Sequence, residues 1–173
     1  ANPSCGAATL TYSAPNANIY WQTTATGTST ANPTTSSFTS LATAGSYIRY
    51  VRELNGTCWS PATASASFTI VEPIAITVPP PNRVITDGNN TTFTVTATGT
   101  TPTYQWQVDT GSGFVDLVNG APYSNVTTSA MTITAAPITM NGYVYRCVVS
   151  GSAPCGSVTS SNGTLTVTYT APN

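Results

Sequence analysis

The sequence predicts an all-β fold, two antiparallel β-sandwiches in tandem, and three observations carry that prediction. There are 35 threonines among 173 residues, and a β-branched side chain with a hydroxyl suits the solvent-facing side of a pleated sheet. Short segments alternate apolar with hydroxyl-bearing residues at period two and are closed by Asn-Gly and Asp-Gly pairs, the chemistry of tight hairpins. No stretch of ten or more residues carries helical spacing, which disfavours parallel α/β architectures. Nine tyrosines and three tryptophans, with many Val, Ile and Leu residues, supply the apolar surface that a disordered chain of low charge lacks.

In the first half, Ala8, Leu10 and Tyr12 share one face of a strand over Ala7–Ser13, and Ile19 and Trp21 one face of Ala17–Thr24. A Phe38 and Leu41 stretch precedes a strand over Ser46–Leu54. Asn55-Gly56 turns the chain, and Ala62–Val71 then alternates Ala64, Ala66, Phe68 and Ile70 with Thr63, Ser65, Ser67 and Thr69. Glu72-Pro73 ends that run, because proline has no N–H for a ladder and restrains the residue before it. The first sandwich therefore spans residues 1–72. It is short beside the roughly 100 residues of a seven-strand sandwich and is expected to lack one or two edge strands.

The second sandwich spans residues 74–170. It starts with Ile74–Val78, runs through a stiff Pro79-Pro80-Pro81 to Arg83–Thr86, turns at Asp87-Gly88, and continues as one strand over Thr91–Thr98 with Phe93, Val95 and Ala97 inward. Tyr104, Trp106 and Val108 alternate next. After Gly111-Ser112-Gly113 come Phe114–Val118, a turn at Asn119-Gly120, a strand near Ser129–Thr134, the Asn141-Gly142 turn, Tyr143–Ser150 and Leu165–Tyr169. About eight strands at such short spacing argue for a sandwich.

Only 5% of the residues are charged, against about 25% in an ordinary soluble domain. The cations are Arg49, Arg52, Arg83 and Arg146, with no lysine and no histidine. That set is too small to neutralise several phosphates, so nucleic acid is excluded as a partner. The lack of histidine removes the commonest general base and metal ligand and the usual serine or cysteine relay, so no catalysis, metal or cofactor is expected. A glycosidase needs two carboxylates facing a cleft. The carboxylates are Glu53, Glu72, Asp87, Asp109 and Asp116; Asp109 and Asp116, the candidate pair close in sequence, flank a Gly-Ser-Gly turn and read as solvated hairpin residues. Asp87-Gly88-Asn89-Asn90 has one carboxylate and no calcium-loop spacing, so it reads as a turn. Asn-x-Ser/Thr matches at Asn55, Asn89, Asn90, Asn125 and Asn162 are what a Thr- and Asn-rich chain yields by chance. No run of about 18 apolar residues exists. Ala1-Asn2-Pro3-Ser4 carries no signal pattern, so no membrane insertion is expected, and any export signal is expected outside this segment.

Cys5, Cys58, Cys147 and Cys155 fit no Cys-x-x-Cys zinc pattern, and disulfides are the better reading. Of the three pairings, the boundary at Pro73 selects Cys5 with Cys58 and Cys147 with Cys155, one bridge in each half. Loop closure makes these worth roughly 4 and 2.5 kcal/mol, and both imply an oxidising compartment.

With these elements in place, the second half resembles an immunoglobulin-like domain. Tyr104-Gln105-Trp106-Gln107 is similar to the strand carrying the core tryptophan, and Asn141-Gly142-Tyr143-Val144-Tyr145-Arg146-Cys147 to the corner motif with a tyrosine two residues before a cysteine. The sequence departs from the antibody pattern in that Thr91–Thr98 has no cysteine. Cys147 is then expected to pair across a turn centred on Gly151, with Cys155 opposite it on the adjacent strand. Both halves look like the Ig-like repeats of very large secreted and cell-surface proteins of gliding and polymer-degrading Bacteroidota, typically exported by the type IX route. The segments that carry this resemblance in the first half are Cys5-Gly6, Ile19-Tyr20-Trp21, Tyr50-Val51-Arg52 and Asn55-Gly56-Thr57-Cys58-Trp59-Ser60. In the second half they are Tyr145-Arg146-Cys147-Val148-Val149-Ser150-Gly151 and Cys155-Gly156-Ser157-Val158. The resemblance implies an extracellular or cell-surface location and a role as stalk, spacer or adhesive module; such repeats share no catalytic or ligand residues to carry over.

Trp21 and Trp106 read as core tryptophans of the two sandwiches. Trp59 follows Cys58 at the start of a loop before Pro61. Packing on the neighbouring disulfide is the preferred reading, while a planar ring on a loop also suits stacking on a sugar or anchoring a protein. Tyr123, between Pro122 and Ser124 in the loop after Asn119-Gly120, carries the same two readings.

With a net charge of −1, hydroxyl and amide groups must hold water on the outward faces, which makes the surface nearly insensitive to salt. A stiff Glu72-Pro73 joint predicts a semi-rigid rod of about 40 Å per unit. Uncharged, Thr-rich edge strands are poorly protected and open to pairing with neighbouring copies. The expected function is a non-catalytic structural or adhesive segment whose partners are neighbouring Ig-like repeats, further copies of itself, or a surface glycan or protein. The alternative is a carbohydrate-binding accessory module of a secreted polysaccharide-degrading enzyme, with Trp59 and Tyr123 as its platform.

Overall fold

A computed structural model of the chain describes residues 4–11, 18–34, 38–40, 43–62 and 64–169. Tyr12, Leu41 and Thr63, assigned to strands from the alternation, fall outside the described residues. The chain divides into two compact units, Ala1–Glu72 and Pro73–Asn173.

The first unit contains β1 (Ser4–Cys5), β2 (Ala8–Leu10), β3 (Ile19–Gln22), β4 (Phe38–Ser40), β5 (Gly45–Asn55), β6 (Cys58–Trp59) and β7 (Ala64–Val71). One sheet has the order β1-β7-β5-β3, with β6 folded back on β5, while β2 and β4 pair with each other. The fold-back joins Asn55 to Cys58 through Gly56 at φ 62°, a turn conformation that glycine adopts without a Cβ clash. The alternation in β7 turns Phe68 and Ile70 inward, and Leu10 and Tyr47 pack on them, so β2 contributes a second layer. Trp21 is paired with Val51 across β3 and β5 and both are buried. Next to Trp21, the buried Gln22 side chain donates to Ser29 O at 2.7 Å and accepts from Ser29 N at 3.0 Å, which adds to the backbone bonds from Trp21 N to Asn32 O and from Thr34 N to Ile19 O in holding the segment after β3.

The second unit contains β8 (Ala75–Val78), β9 (Arg83–Thr86), β10 (Thr91–Thr94), β11 (Thr96–Thr98), β12 (Thr103–Asp109), β13 (Phe114–Asp116), β14 (Tyr123–Ser124), β15 (Ala130–Ile133), β16 (Val144–Ser150), β17 (Ser157–Thr159) and β18 (Gly163–Thr168). One sheet has the order β13-β12-β16-β18-β9, with β17 on β16; further strands pair as β10-β15-β14 and as β11-β8. The single strand expected over Thr91–Thr98 is broken at Val95. β10 pairs with β15 and β11 with β8, so one stretch serves two neighbours, and Val95 N donates to Ser129 O at 2.9 Å at the crossover. Phe93 and Val95 both remain buried, and Ala97 packs half-buried against the same core.

That core is aromatic at its centre. The Phe93 ring lies 4.7 Å from Tyr145 and 6.3 Å from Trp106, centroid to centroid, separations at which tilted rings attract. Trp106 is fully buried and its Nε1–H donates to Thr128 O at 2.8 Å, so the one polar atom of the indole is satisfied.

Neither local disulfide forms: Cys58 and Cys147 carry free thiols, and the disulfide-bonded cysteines are Cys5 and Cys155. Register explains both corrections. Cys5 lies beside Val71, at the end of the sheet where Gly45 pairs with Ile70. Cys58 closes the opposite end of β5, opposite Asn55. Ten residues of strand separate the two ends, about 33 Å, far beyond the roughly 7 Å between Cα atoms that a disulfide spans. In the second unit Ser150 pairs with Ser157, so the turn is centred beyond Gly151 and Cys147 comes opposite Ser160, whose N donates to Cys147 O at 2.9 Å. Cys147 therefore sits three residues, about 10 Å, inside a pair that has Cys155 on its other side.

Candidate functional site

Tyr123 lies on β14, not in an open loop, and pairs with Ile133 of β15. The segment before it is fixed locally. Gly120 N donates to Tyr123 O at 2.9 Å and Tyr123 N to Gly120 O at 2.7 Å, and Asn119 Oδ1 accepts from Val126 N at 3.1 Å. A second wall, Ala135–Met140, is held from a distance by the Asp87-Gly88-Asn89-Asn90 turn. Ala135 N donates to Asn90 Oδ1 at 2.8 Å, Ile138 N to Asp87 Oδ1 at 2.7 Å, and Gly88 and Asn89 exchange backbone bonds with Ala136. The turn reading of these four residues thus acquires a role: they are a strap.

Between the two walls lies an open cavity of about 910 Å³ lined by Pro122, Tyr123, Pro137 and Met140, with Asn119 and Ser124 among its polar groups. The Tyr123 hydroxyl is 3.3 Å from that of Tyr145, and the rings meet edge to face with centroids 6.3 Å apart. Burial pushes both hydroxyls above the ordinary tyrosine range, Tyr145 furthest. Both are neutral at any physiological pH, so the recess offers apolar walls, amides and hydroxyls and no group poised to exchange a proton.

Trp59 belongs to the first unit and is held differently from the expected way. Its neighbour Cys58 is an exposed free thiol, so there is no disulfide for the ring to pack on. Instead the ring stands edge to face with Tyr20 at 5.5 Å, and the guanidinium of Arg52 lies 5.6 Å from its centroid. Arg52 is itself buried; its Nε donates to Ser60 O and its Nη1 to Gly27 O, each at 2.6 Å. The half-buried indole is held by the edge contact with Tyr20 and by the guanidinium of Arg52.

Asp109 and Asp116 are occupied by the fold. Asp109 Oδ1 accepts from Gly111 N at 2.7 Å and Gly113 N at 2.9 Å; these bonds, Gly111 first, hold its carboxyl below the usual range. Asp116 Oδ1 accepts from Gln107 Nε2 at 2.8 Å, and Gln107 Oε1 accepts from Arg146 Nε at 2.7 Å. Arg146 also stacks 3.8 Å from the centroid of Phe114. This Arg146-Gln107-Asp116 chain escaped sequence reasoning, since only the register that sets Gln107 between Asp116 and Arg146 creates it. Among the described residues no group of three or more His, Cys, Asp or Glu side chains is placed to hold a metal, and no helix is long and apolar enough to cross a membrane.

No protein-family model matches the sequence, and no curated protein does. Among solved structures, sidekick-1 immunoglobulin domains 1–4 are similar at 20% identity with a TM-score of 0.60, covering 96% of this chain and 46% of that one. An I-band fragment from titin is similar at 15% identity with a TM-score of 0.57, covering 98% of this chain and 62% of that one. A glutamate-to-alanine variant of three titin Ig domains is similar at 21% identity and a TM-score of 0.52, covering 72% of this chain and 41% of that one. The chain spans less than two thirds of each. By fold, this protein is a tandem of immunoglobulin-like β-sandwiches.

Proposed function

We propose that this chain is a non-catalytic structural and adhesive segment of a larger extracellular or cell-surface protein, of the Ig-like repeat kind that Bacteroidota export by the type IX route. The observation that supports this most is how the polar groups are used. Asp87, Asp109 and Asp116 each accept a hydrogen bond that holds a turn or a strand pair, and the recess at Tyr123 is lined without a carboxylate, a thiol or a basic side chain. Groups committed to the scaffold leave surfaces suited to contact and not to bond cleavage.

Two experiments test the reading. Protease shaving of intact cells that make the parent protein is expected to release peptides of this segment; release only after lysis overturns the location. Pull-down of the whole chain on insoluble polysaccharides, beside Tyr123→Ala and Trp59→Ala, is expected to show no ring-dependent retention. Retention lost in Tyr123→Ala replaces this reading with that of a carbohydrate-binding accessory module, with Tyr123 the ring that lines a recess.

A further inference from the structure

β13 ends its sheet. It pairs with β12 on one side and with no strand on the other among the described residues. Leu117 N donates to Trp106 O at 2.9 Å, so Leu117 and, two residues earlier, Val115 turn their backbone groups toward β12. The N–H and C=O groups of Phe114 and Asp116 therefore point to the open side. The same edge is apolar, with Val115 61% and Val118 81% exposed. The usual safeguards are missing: the chain has no lysine, β13 has no proline, and Asp116 is engaged by Gln107 within its own sheet.

We propose that β13 pairs with β13 of a second copy of this chain, antiparallel and about a two-fold axis at Val115. In that register Phe114 of each copy faces Asp116 of the other and exchanges with it the outward-pointing backbone hydrogen bonds, while the two Val115 residues meet as a non-hydrogen-bonded pair. The contact is self-complementary, as a two-fold demands. Charge selects the register. Because Arg146 stacks 3.8 Å from the Phe114 centroid, Asp116 of the partner subunit, opposite Phe114, arrives beside a cation. A two-fold at Asp116 would set two carboxylates opposite each other, and one at Phe114 would run each strand into the Gly111-Ser112-Gly113 turn of the partner subunit. A net charge of −1 leaves little repulsion between approaching copies. The inference goes beyond the function proposed above and stands without it.

The test uses the full chain with Cys58→Ser, which removes the exposed thiol. Cα atoms of a non-hydrogen-bonded antiparallel pair stand about 4.5 Å apart, within disulfide range. Val115→Cys in that background is expected to form a covalent dimer under mild oxidation about tenfold faster than Val84→Cys, through the higher effective concentration of pre-paired thiols; Val84 is 71% exposed on a different strand. Equal rates overturn the proposal. Sedimentation equilibrium of the Cys58→Ser chain at about 1 mM, where an interface this small first shows, is expected to give a mass rising toward the dimer. Asp116→Arg is expected to abolish the rise, and Asp116→Arg with Arg146→Asp to restore it. A monomer throughout, or a dimer indifferent to Asp116→Arg, overturns the proposal.

Discussion

Cys147 lies opposite Trp106 across β12 and β16, and its thiol is buried in the core of the second sandwich. Desolvation pushes that thiol up from 9.0 to about 11 and pushes Tyr145 up as well. A pKa raised by folding means that the native state holds its proton more tightly than the unfolded chain. The associated stability is intact below about pH 9 and is lost as pH rises through 11. Cys147 alone accounts for about 2–3 kcal/mol of that loss, and Tyr145 acts in the same direction above pH 10. Urea titrations at pH 7, 9 and 11 followed by circular dichroism check this. Cys147→Ala is expected to start about 1–2 kcal/mol less stable and to lose less between pH 9 and 11.

Gly163 is fixed by close approach. A Cβ there would stand 2.8 Å from Pro81 O and 3.1 Å from the Phe93 ring. Gly163→Ala is expected to destabilise the second unit by about 1–3 kcal/mol. A Cβ at Gly156 would meet nothing within 4 Å, and Gly156→Ala is expected to stay within about 0.5 kcal/mol of the parent. Thermal melts of the two variants side by side measure the difference.

Asp109 is held as a carboxylate by the Gly111 and Gly113 amides. Its folded pKa is depressed, so its contribution is present above the unfolded value of 3.8 and is lost as pH falls below it. The Gly111 and Gly113 amides are expected to exchange faster in Asp109→Ala than in the parent at pH 6, and the difference to shrink as pH falls below 3.8. Amide hydrogen exchange by NMR reads this directly.

Arg52 ties β5 to Ser60 and Gly27 while covering Trp59. Arg52→Ala is expected to cost about 1–3 kcal/mol, because two carbonyls lose a charged donor, and to raise acrylamide quenching of tryptophan fluorescence. Arg52→Lys is not expected to rescue it, since one ammonium cannot reproduce two bonds that leave a planar fork in different directions.

Alternation made β7 and β12 legible in the sequence: Phe68, Ile70, Trp106 and Val108 are buried as period two requires. Trp21 and Trp106 stand in cores for the same reason. What depends on partners far along the chain was not legible. The break at Val95 arises because β10 and β11 answer to β15 and β8, and no local propensity encodes that. The cysteine pairing failed on register, since placing the hairpin centre at Gly151 moves Cys147 along the strand from its true partner, Ser160. The recess at Tyr123 was half visible: the ring was singled out, but its second wall is strapped by Asp87 and Asn90, whose partners are 51 and 45 residues away.

Cys147 is a buried core residue of a layered second sandwich and not half of a hairpin bridge. Alkylation of the four cysteines, read by mass spectrometry, tests it. The structure predicts that Cys58 is labelled in the native protein, Cys147 only in denaturant, and Cys5 and Cys155 only after reduction. Cys58 and Cys147 both refusing label in denaturant until a reductant is added would contradict it.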